Sequence, residues 1–305
     1  MANIQPRRFK TISEFHQFRE LPKPEHPLIS VINLELIKRL PANETSLVFD
    51  FYSIALKRNF NAKVKYGQQE YDFDEGIMFF MSPGQVFRIE VEKDSSLQQS
   101  GWMILIHPDF LWNTTLAKTI KQYQYFSYSV NEALHLSEKE EATITSIIQN
   151  VEQEYRSNID KFSQAVMVSQ IEVLLNYSNR FYNRQFITRK TASNDLLVKL
   201  EDLLTEYFDH QNDSQSGLPT VKYVSEKLNV SPNYLSDMLK TLTGQNTQQH
   251  IHNKLIEKAK EVLTATSLSV SEIAYRLGFE HPQSFNKLFK NKTSVSPLEF
   301  RNSFN

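Results

Sequence analysis

The chain has no cysteine and only seven glycines. The first absence excludes disulfides and thiolate metal sites and fits a reducing compartment. The second leaves no Gly-rich phosphate loop or dinucleotide fingerprint, and no Ser-His-Asp pattern stands out either. Long apolar runs are missing too: stretches such as IMFFM (77–81) are far too short to cross a bilayer. The opening MANIQPRRFKTISEFHQF is positively charged but has no apolar run behind it, so no signal peptide is expected. A soluble, cytoplasmic protein without a membrane partner is the expectation.

Metal-ligand spacing is scarce as well. The upstream histidines, His16, His26, His107, His135 and His210, are scattered with no His-x-His pair. His250 and His252 form such a pair, but on an expected helix, where i and i+2 point apart. Neither metal nor cofactor is expected, and the chain reads as a non-enzyme.

What is present is ordinary for a globular protein: 40% hydrophobic and 23% charged residues. A length of 305 residues suggests about two domains. The net charge of -1 hides an asymmetry. Residues 217–305 hold eleven Lys and Arg against seven Asp and Glu, leaving 23 against 28 upstream. A basic tail on an acidic body fits a polyanionic partner.

Residues 1 to about 135 read mostly as strands. LISVINLE, SLVFDFYSIAL, AKVKYG, QEYDF, GIMFFMSP, VFRIEVE and WMILIHP are short, rich in β-branched and aromatic residues, and bounded by turn residues. Such frequent short strands suggest an antiparallel barrel or a sandwich. At Ser137 the period changes. Ser137 and Glu140 form a capping-box signature, followed by Ile144, Ile147, Ile148, Val151 and Tyr155 at helical spacing. A longer helix over 162–186 is apolar at Val166, Val168, Ile171, Leu174, Leu175, Tyr177 and Phe181. That width serves either to cap the strand layer or to meet a second subunit. A third helix, NDLLVKLEDLLTEYFDHQ, precedes the polar stretch NDSQSG.

Beyond that stretch, one helical plan occurs twice. Thr220 caps a helix facing inward at Val221, Val224 and Leu228; Ser231-Pro232 then starts a second helix that buries Leu235, Met238, Leu239 and Leu242 and stops at Gly244. In the second copy, Ser269 and Glu272 cap a helix with Val270, Ile273, Ala274 and Leu277 inward. Val224 to Ile273, Leu228 to Leu277 and Val230 to Phe279 are 49 residues apart. Leu235 to Phe285, Leu239 to Phe289 and Gly244 to Ser294 are 50 apart, so the second turn has gained one residue. Each copy reads as a helix-turn-helix, and TQQHIHNKLIEKAKEVLTAT between them reads as a connecting helix. If it holds the two second helices about 34 Å apart, both enter successive major grooves of one duplex.

The faces left over are Asn233, Tyr234, Ser236, Asp237 and Lys240 in the first copy. In the second they are His281, Gln283, Ser284, Asn286, Lys287 and Lys290. Gln and Asn suit adenine edges, and Lys suits guanine acceptors or phosphate. Lys240, Lys290, Lys292 and helix N-terminal amides are the expected phosphate contacts.

SVSEIAYRLGFEHPQSFNKLFKNKTSVSPLEFR, with its IA…LGF turn, spaced F…FK and closing SP..FR, resembles the C-terminal domain of the AraC/XylS transcription regulators. The resemblance covers about 218–303 and implies sequence-specific binding of double-stranded DNA. It implies an α+β chain: a cupin-like antiparallel β-barrel with C-terminal helices at 1–190, a connecting helix and linker at 191–217, and a double helix-turn-helix domain at 218–305. By the same resemblance the barrel takes a small effector or serves dimerisation alone, a third reading being a cupin enzyme fused to a DNA-binding domain, and the helix around 162–186 joins a homodimer. RNA polymerase is a partner if the protein is an activator. Phe49, Phe51, Tyr71, Phe79, Phe80, Phe87 and Trp102 are the candidates to line an effector pocket. Strand alternation can put only some of them inside. Departures from the family are Lys287 where Arg is usual, Ser294 where Gly is usual, and Asp237 where basic or amide residues are common. Lys287 therefore favours phosphate over a forked guanine contact, and the first copy either reads a cytosine-bearing site or binds weakly.

Overall fold

The structure is a computed structural model that describes residues 6–37, 45–58, 65–66, 69–70, 76–89, 100–129, 132–188, 190–209 and 217–303. β1 (Arg7–Phe9) leads into α1 (Ile12–Phe18), a helix within the stretch expected to be mostly strand. Thr11 starts it: its hydroxyl accepts from the Glu14 amide at 3.2 Å, while the Glu14 carboxylate accepts from the Lys10 amide at 2.8 Å. Then come β2 (Ile29–Asn33), β3 (Thr45–Phe49), β4 (Tyr52–Arg58), β5 (Lys65–Tyr66), β6 (Gln69–Glu70), β7 (Ile77–Met81), β8 (Val86–Ile89) and β9 (Ser100–Ile106). The short α2 (Leu116–Thr119) and β10 (Leu134–His135) precede α3 (Glu138–Tyr155) and α4 (Ser163–Thr188).

Four of these strands and β10 form one antiparallel sheet in the order β10-β7-β4-β9-β2. A second sheet has the order β1-β3-β8, with β1 parallel to β3, and β5 pairs with β6. The expected closed antiparallel barrel is therefore corrected to open sheets: β2 and β10 remain separate edges among the described residues. The reason lies in what satisfies those edges. On β10, the His135 amide donates to Gln185 Oε1 at 2.8 Å and its carbonyl accepts from Arg184 at 2.7 Å. Side chains of α4 thus take the place of a further strand. At the other edge, α3 lies against β2, and the Tyr155 hydroxyl accepts from the Glu25 amide at 2.7 Å. In β9, a Cβ on Gly101 would lie 2.1 Å from the Leu56 carbonyl oxygen, and its φ of +116° suits glycine alone.

The chain divides into two compact units, Met1–Gln185 and Phe186–Asn305. The second begins with the end of α4 and with α5 (Lys190–Asp209), where Leu200, Leu204 and Phe208 are buried. Then follow α6 (Val221–Lys227), α7 (Pro232–Thr243), α8 (Thr247–Ala265), α9 (Val270–Arg276), α10 (Pro282–Thr293) and α11 (Pro297–Asn302). Phe208 packs with Leu255, Ile256, Ala259, Val262 and Leu263 of α8, Ile273, Ala274 and Leu277 of α9, and Phe285 and Phe289 of α10.

The duplication is visible in the backbone. Thr220, Ser231 and Ser269 each cap their helix as the sequence suggests. The turn between α6 and α7 places Asn229 at φ +56°, and the turn between α9 and α10 places Gly278 at φ +88°. Gly244 and Ser294, 50 residues apart, end α7 and α10 in the same left-handed conformation, at φ +77° and +68°. Serine tolerates that conformation poorly, because its Cβ crowds the backbone. Ser294→Gly is expected to raise stability by about 0.5–1 kcal/mol. Relief of about 1–2 kcal/mol is partly offset by the freer unfolded chain. A urea midpoint unchanged or lowered in Ser294→Gly contradicts this.

Candidate nucleic-acid interface

Each of α7 and α10 spends one face on the core, and what remains differs between them. In α10, Phe285 and Phe289 are fully buried, while His281, Gln283, Ser284, Asn286, Lys287 and Lys290 are all exposed. Among the described residues, the side chains of His281, Gln283, Ser284, Asn286 and Lys287 make no hydrogen bond or ion pair within the chain. Pro282 occupies the first helical position, where it has no N–H to satisfy; His281 provides no side-chain cap, and the Ser284 amide donates to the His281 carbonyl at 3.0 Å. The result is a ridge of amide donors and acceptors flanked by two ammonium groups.

The ridge of α7 is partly covered. Asn233 and Lys240 are exposed, but Tyr234, Ser236 and Asp237 are half-buried, and Asn233, Tyr234 and Asp237 each have partners within the fold. The Tyr234 ring meets that of Phe186, at the end of α4, edge to face with centroids 5.2 Å apart. Ser284 stands at the equivalent position of α10 and is exposed. Asp237 against Lys287 reverses the charge at another equivalent pair. The eleven sequence-derived residues therefore fall into two groups: six gathered on one open face, and five on a face that Phe186 partly covers.

Polar contacts of α8 (Thr247–Ala265) brace both ridges. Lys292, expected to reach phosphate, is exposed and donates to Asn253 Oδ1 at 2.9 Å, and Asn253 donates to Gln245 at 2.7 Å. His250 and His252 point to different partners. His250 lies 2.9 Å from the Thr243 hydroxyl and 3.4 Å from Glu201 of α5, whereas His252 lies 2.8 Å from Gln248. Burial, and then the nearby Lys292 charge, lowers the His252 pKa. Lys258 joins Asp209 of α5 at 2.8 Å and Glu261 at 3.0 Å, and these hydrogen bonds raise its pKa. The sequence reading does not anticipate that α5 supports this unit; the apolar triplet Leu200, Leu204 and Phe208 is the signal for it.

The aromatic residues expected to line an effector pocket do not gather in one place. Phe49 and Phe51 stack at 4.9 Å and are buried in a cluster with Phe9, Phe15, Ile32 and Leu105. Phe80 points to the opposite face of the five-stranded sheet, onto Tyr125 at 4.5 Å and Phe126 at 5.6 Å. By strand register Trp102 shares the face of Phe80, while Phe79 shares that of Met103. Tyr71 and the side chain of Phe87 lie outside the described residues.

A helix-turn-helix domain family matches residues 224–303. An uncharacterised HTH-type transcriptional regulator, YfiF of Bacillus subtilis (strain 168), is 30% identical over 48% of this chain and 43% of its own length. The HTH-type transcriptional activator RhaS of Enterobacter sp. (strain 638) is 27% identical over 50% of this chain and 55% of its own. Residues 224–303 form a helix-turn-helix domain similar to those of HTH-type transcriptional regulators. The chain spans about half the length of these curated relatives. Among solved structures, the C-terminal domain of the response regulator yesN from Fusobacterium nucleatum is 35% identical. It covers 33% of this chain and 96% of its own, with a TM-score of 0.28.

Within this helix-turn-helix domain, the asymmetry between the two ridges has a measurable consequence. Tyr234→Ala removes a packed ring and is expected to cost about 1–2 kcal/mol in urea unfolding. Ser284→Ala, at the equivalent exposed position, is expected to stay within about 0.5 kcal/mol of the parent. Equal effects at the two positions would show that the first ridge is as open as the second.

Proposed function

We propose that this chain is a transcription regulator that binds double-stranded DNA through its AraC-type domain, with α10 (Pro282–Thr293) as the main reading helix. The observation that carries this is the open face of α10, where Gln283, Asn286, Lys287 and Lys290 are exposed above a buried Phe285–Phe289 seam. Gln283 and Asn286 are suited to base edges, and Lys287 and Lys290 to phosphate. In the same reading α7 contributes less, since Tyr234 is held by Phe186 and Asp237 repels phosphate.

Unit 1, in this reading, is a cupin-like module that senses a small effector and couples it to the DNA-binding unit. That requires the effector to bind the DNA-competent state with a different affinity from the other. The relative RhaS is an activator, and we extend that role, with RNA polymerase as partner, to this chain. A homodimer through α4 (Ser163–Thr188) is favoured by the exposure of Phe162, Val166 and Val173, at 60%, 43% and 41%. These three keep the spacing of one helix face. The same exposure supports a second reading, in which unit 1 only dimerises. Thermal melting of the full chain against a metabolite library separates the two. The working location is the cytoplasm, and no helix among the described residues is long and apolar enough to cross a membrane.

Selection of duplex DNA from a random pool at two salt concentrations tests the main proposal. A motif is expected to emerge. Gln283→Ala should relax one position, at a cost of about 1–3 kcal/mol there, and Lys287→Ala should weaken all sequences and reduce the salt slope by about one. Enrichment of no motif, with retention vanishing at moderate salt, contradicts sequence reading by α10.

A further inference from the structure

The helices α7 and α10 differ along one stripe. On α7, Tyr234, Asp237 and Thr241 stand at i, i+3 and i+7, so they share one side of the helix. All three are half-buried and have partners within the fold, although the core seam of α7 is Leu235, Met238 and Leu239. On α10 the equivalent residues, 50 positions on, are Ser284, Lys287 and Asn291, and all three are exposed. The two copies keep the same seam and differ in what covers the flank beside it.

The last turn of α4 meets that flank at Tyr234. Phe186 is the first residue of unit 2 and is only 2% exposed. Its ring meets that of Tyr234 edge to face, with the planes at 75°. Its carbonyl accepts from the hydroxyl of Ser193, a buried residue in the first turn of α5, at 3.2 Å. Tyr234 is the third residue of α7. A recognition helix enters the major groove by its N-terminal residues, so the aromatic pair sits at the end of α7 that DNA has to approach. Asp237, one turn further along the same flank, is the counterpart of Lys287, which stands open on α10.

We propose that the last turn of α4 is an autoinhibitory latch on α7: α10 reads DNA without rearrangement, whereas α7 seats in the groove only when Phe186 leaves Tyr234. The proposal rests on the reading that both helices bind DNA, and it adds how that site is regulated. Phe186 and DNA compete for one flank of α7. The first half of a DNA site therefore contributes its contacts less the cost of opening the latch, and the apparent affinity falls with the open fraction. By linkage, DNA that engages α7 must also draw Phe186 off Tyr234.

The test begins with selection of duplex DNA by the full chain and by Phe186→Leu, which keeps an apolar side chain and removes the ring. Affinities are then measured for the longer selected motif and for the same duplex with the half read by α7 randomised. Phe186→Leu is expected to bind the complete motif about 3- to 10-fold more tightly, the worth of one aromatic pair. Its affinity for the half-site should be unchanged. Unchanged or weaker binding of the complete motif, or equal gains on both duplexes, overturns the latch. So does selection of a single half-site by both chains, since α7 then reads nothing in either state.

Hydrogen exchange on the parent chain needs no variant. The complete motif should speed exchange at residues 186–188, and the half-site should not. Exchange there that the complete motif slows or leaves unaltered contradicts the latch. A failure to enrich any motif removes the DNA-reading proposal and the latch together, whereas an enriched motif with no gain in Phe186→Leu removes the latch alone.

Discussion

Both α7 and α10 depend on one buried stripe of α8. Ile251, Leu255, Ile256, Ala259, Val262 and Leu263 are at most 6% exposed and lie along one side of a 19-residue helix. At 1.5 Å per residue that helix is about 28 Å long. The helices α5, α7, α9, α10 and α11 all lie against it. Ala259, in mid-stripe, carries only a methyl group and leaves room for the aromatic rings of Phe285 and Phe289. The end of α8 is secured from the C-terminus, where Arg301 donates to the Leu263 carbonyl at 3.0 Å and the Leu268 carbonyl at 2.7 Å. An arginine thus satisfies a carbonyl that the helix itself cannot. The closing SPLEFR segment is therefore structural, since Ser296 caps α11 and Arg301 fastens it to the spine.

Given that spine, the two copies of the helix-turn-helix share a design and differ in access. The backbone torsions agree at the turn and at the helix end, so the copies place α7 and α10 on α8 by the same local rules. Their outer faces then diverge, because Phe186 meets Tyr234 and, among the described residues, nothing equivalent meets Ser284. In unit 1, Tyr125, Phe126 and Tyr182 cover one face of the five-stranded sheet at Phe80, with their rings stacked on one another.

The parts legible in the sequence are those that local chemistry decides. Thr220, Ser231-Pro232 and Ser269 are caps because their side chains reach amides two or three residues on, and Gly244 ends α7 because it accepts a left-handed φ. The 49- and 50-residue offsets align both copies from sequence alone, down to the extra residue before α10. What stays hidden is set by distant partners. The parallel pairing of Arg7 with Leu47 leaves no trace in either strand's alternation. The satisfaction of His135 by Arg184 and Gln185, which keeps the sheet open, spans about 50 residues. Phe49 and Phe51 look like pocket residues in the sequence because aromatic content does not distinguish core from lining. Lys57 and Arg58 do hold a clue: two adjacent cations on a strand face opposite sides, so one must turn inward.

A rigid α8 makes a geometric demand on DNA that independent domains would not make. The most direct test is the affinity of the chain for duplexes bearing the selected motif with either 5 or 10 base pairs inserted between its two halves. Five base pairs rotate the halves to opposite sides of the duplex, and ten restore the side but add about 34 Å. Both insertions are expected to reduce affinity to that of the α10 half-site alone, because the spine can neither rotate nor stretch. Tolerance of the ten-base-pair insertion would show that α7 and α10 are not held by α8, which contradicts the central role given to that helix.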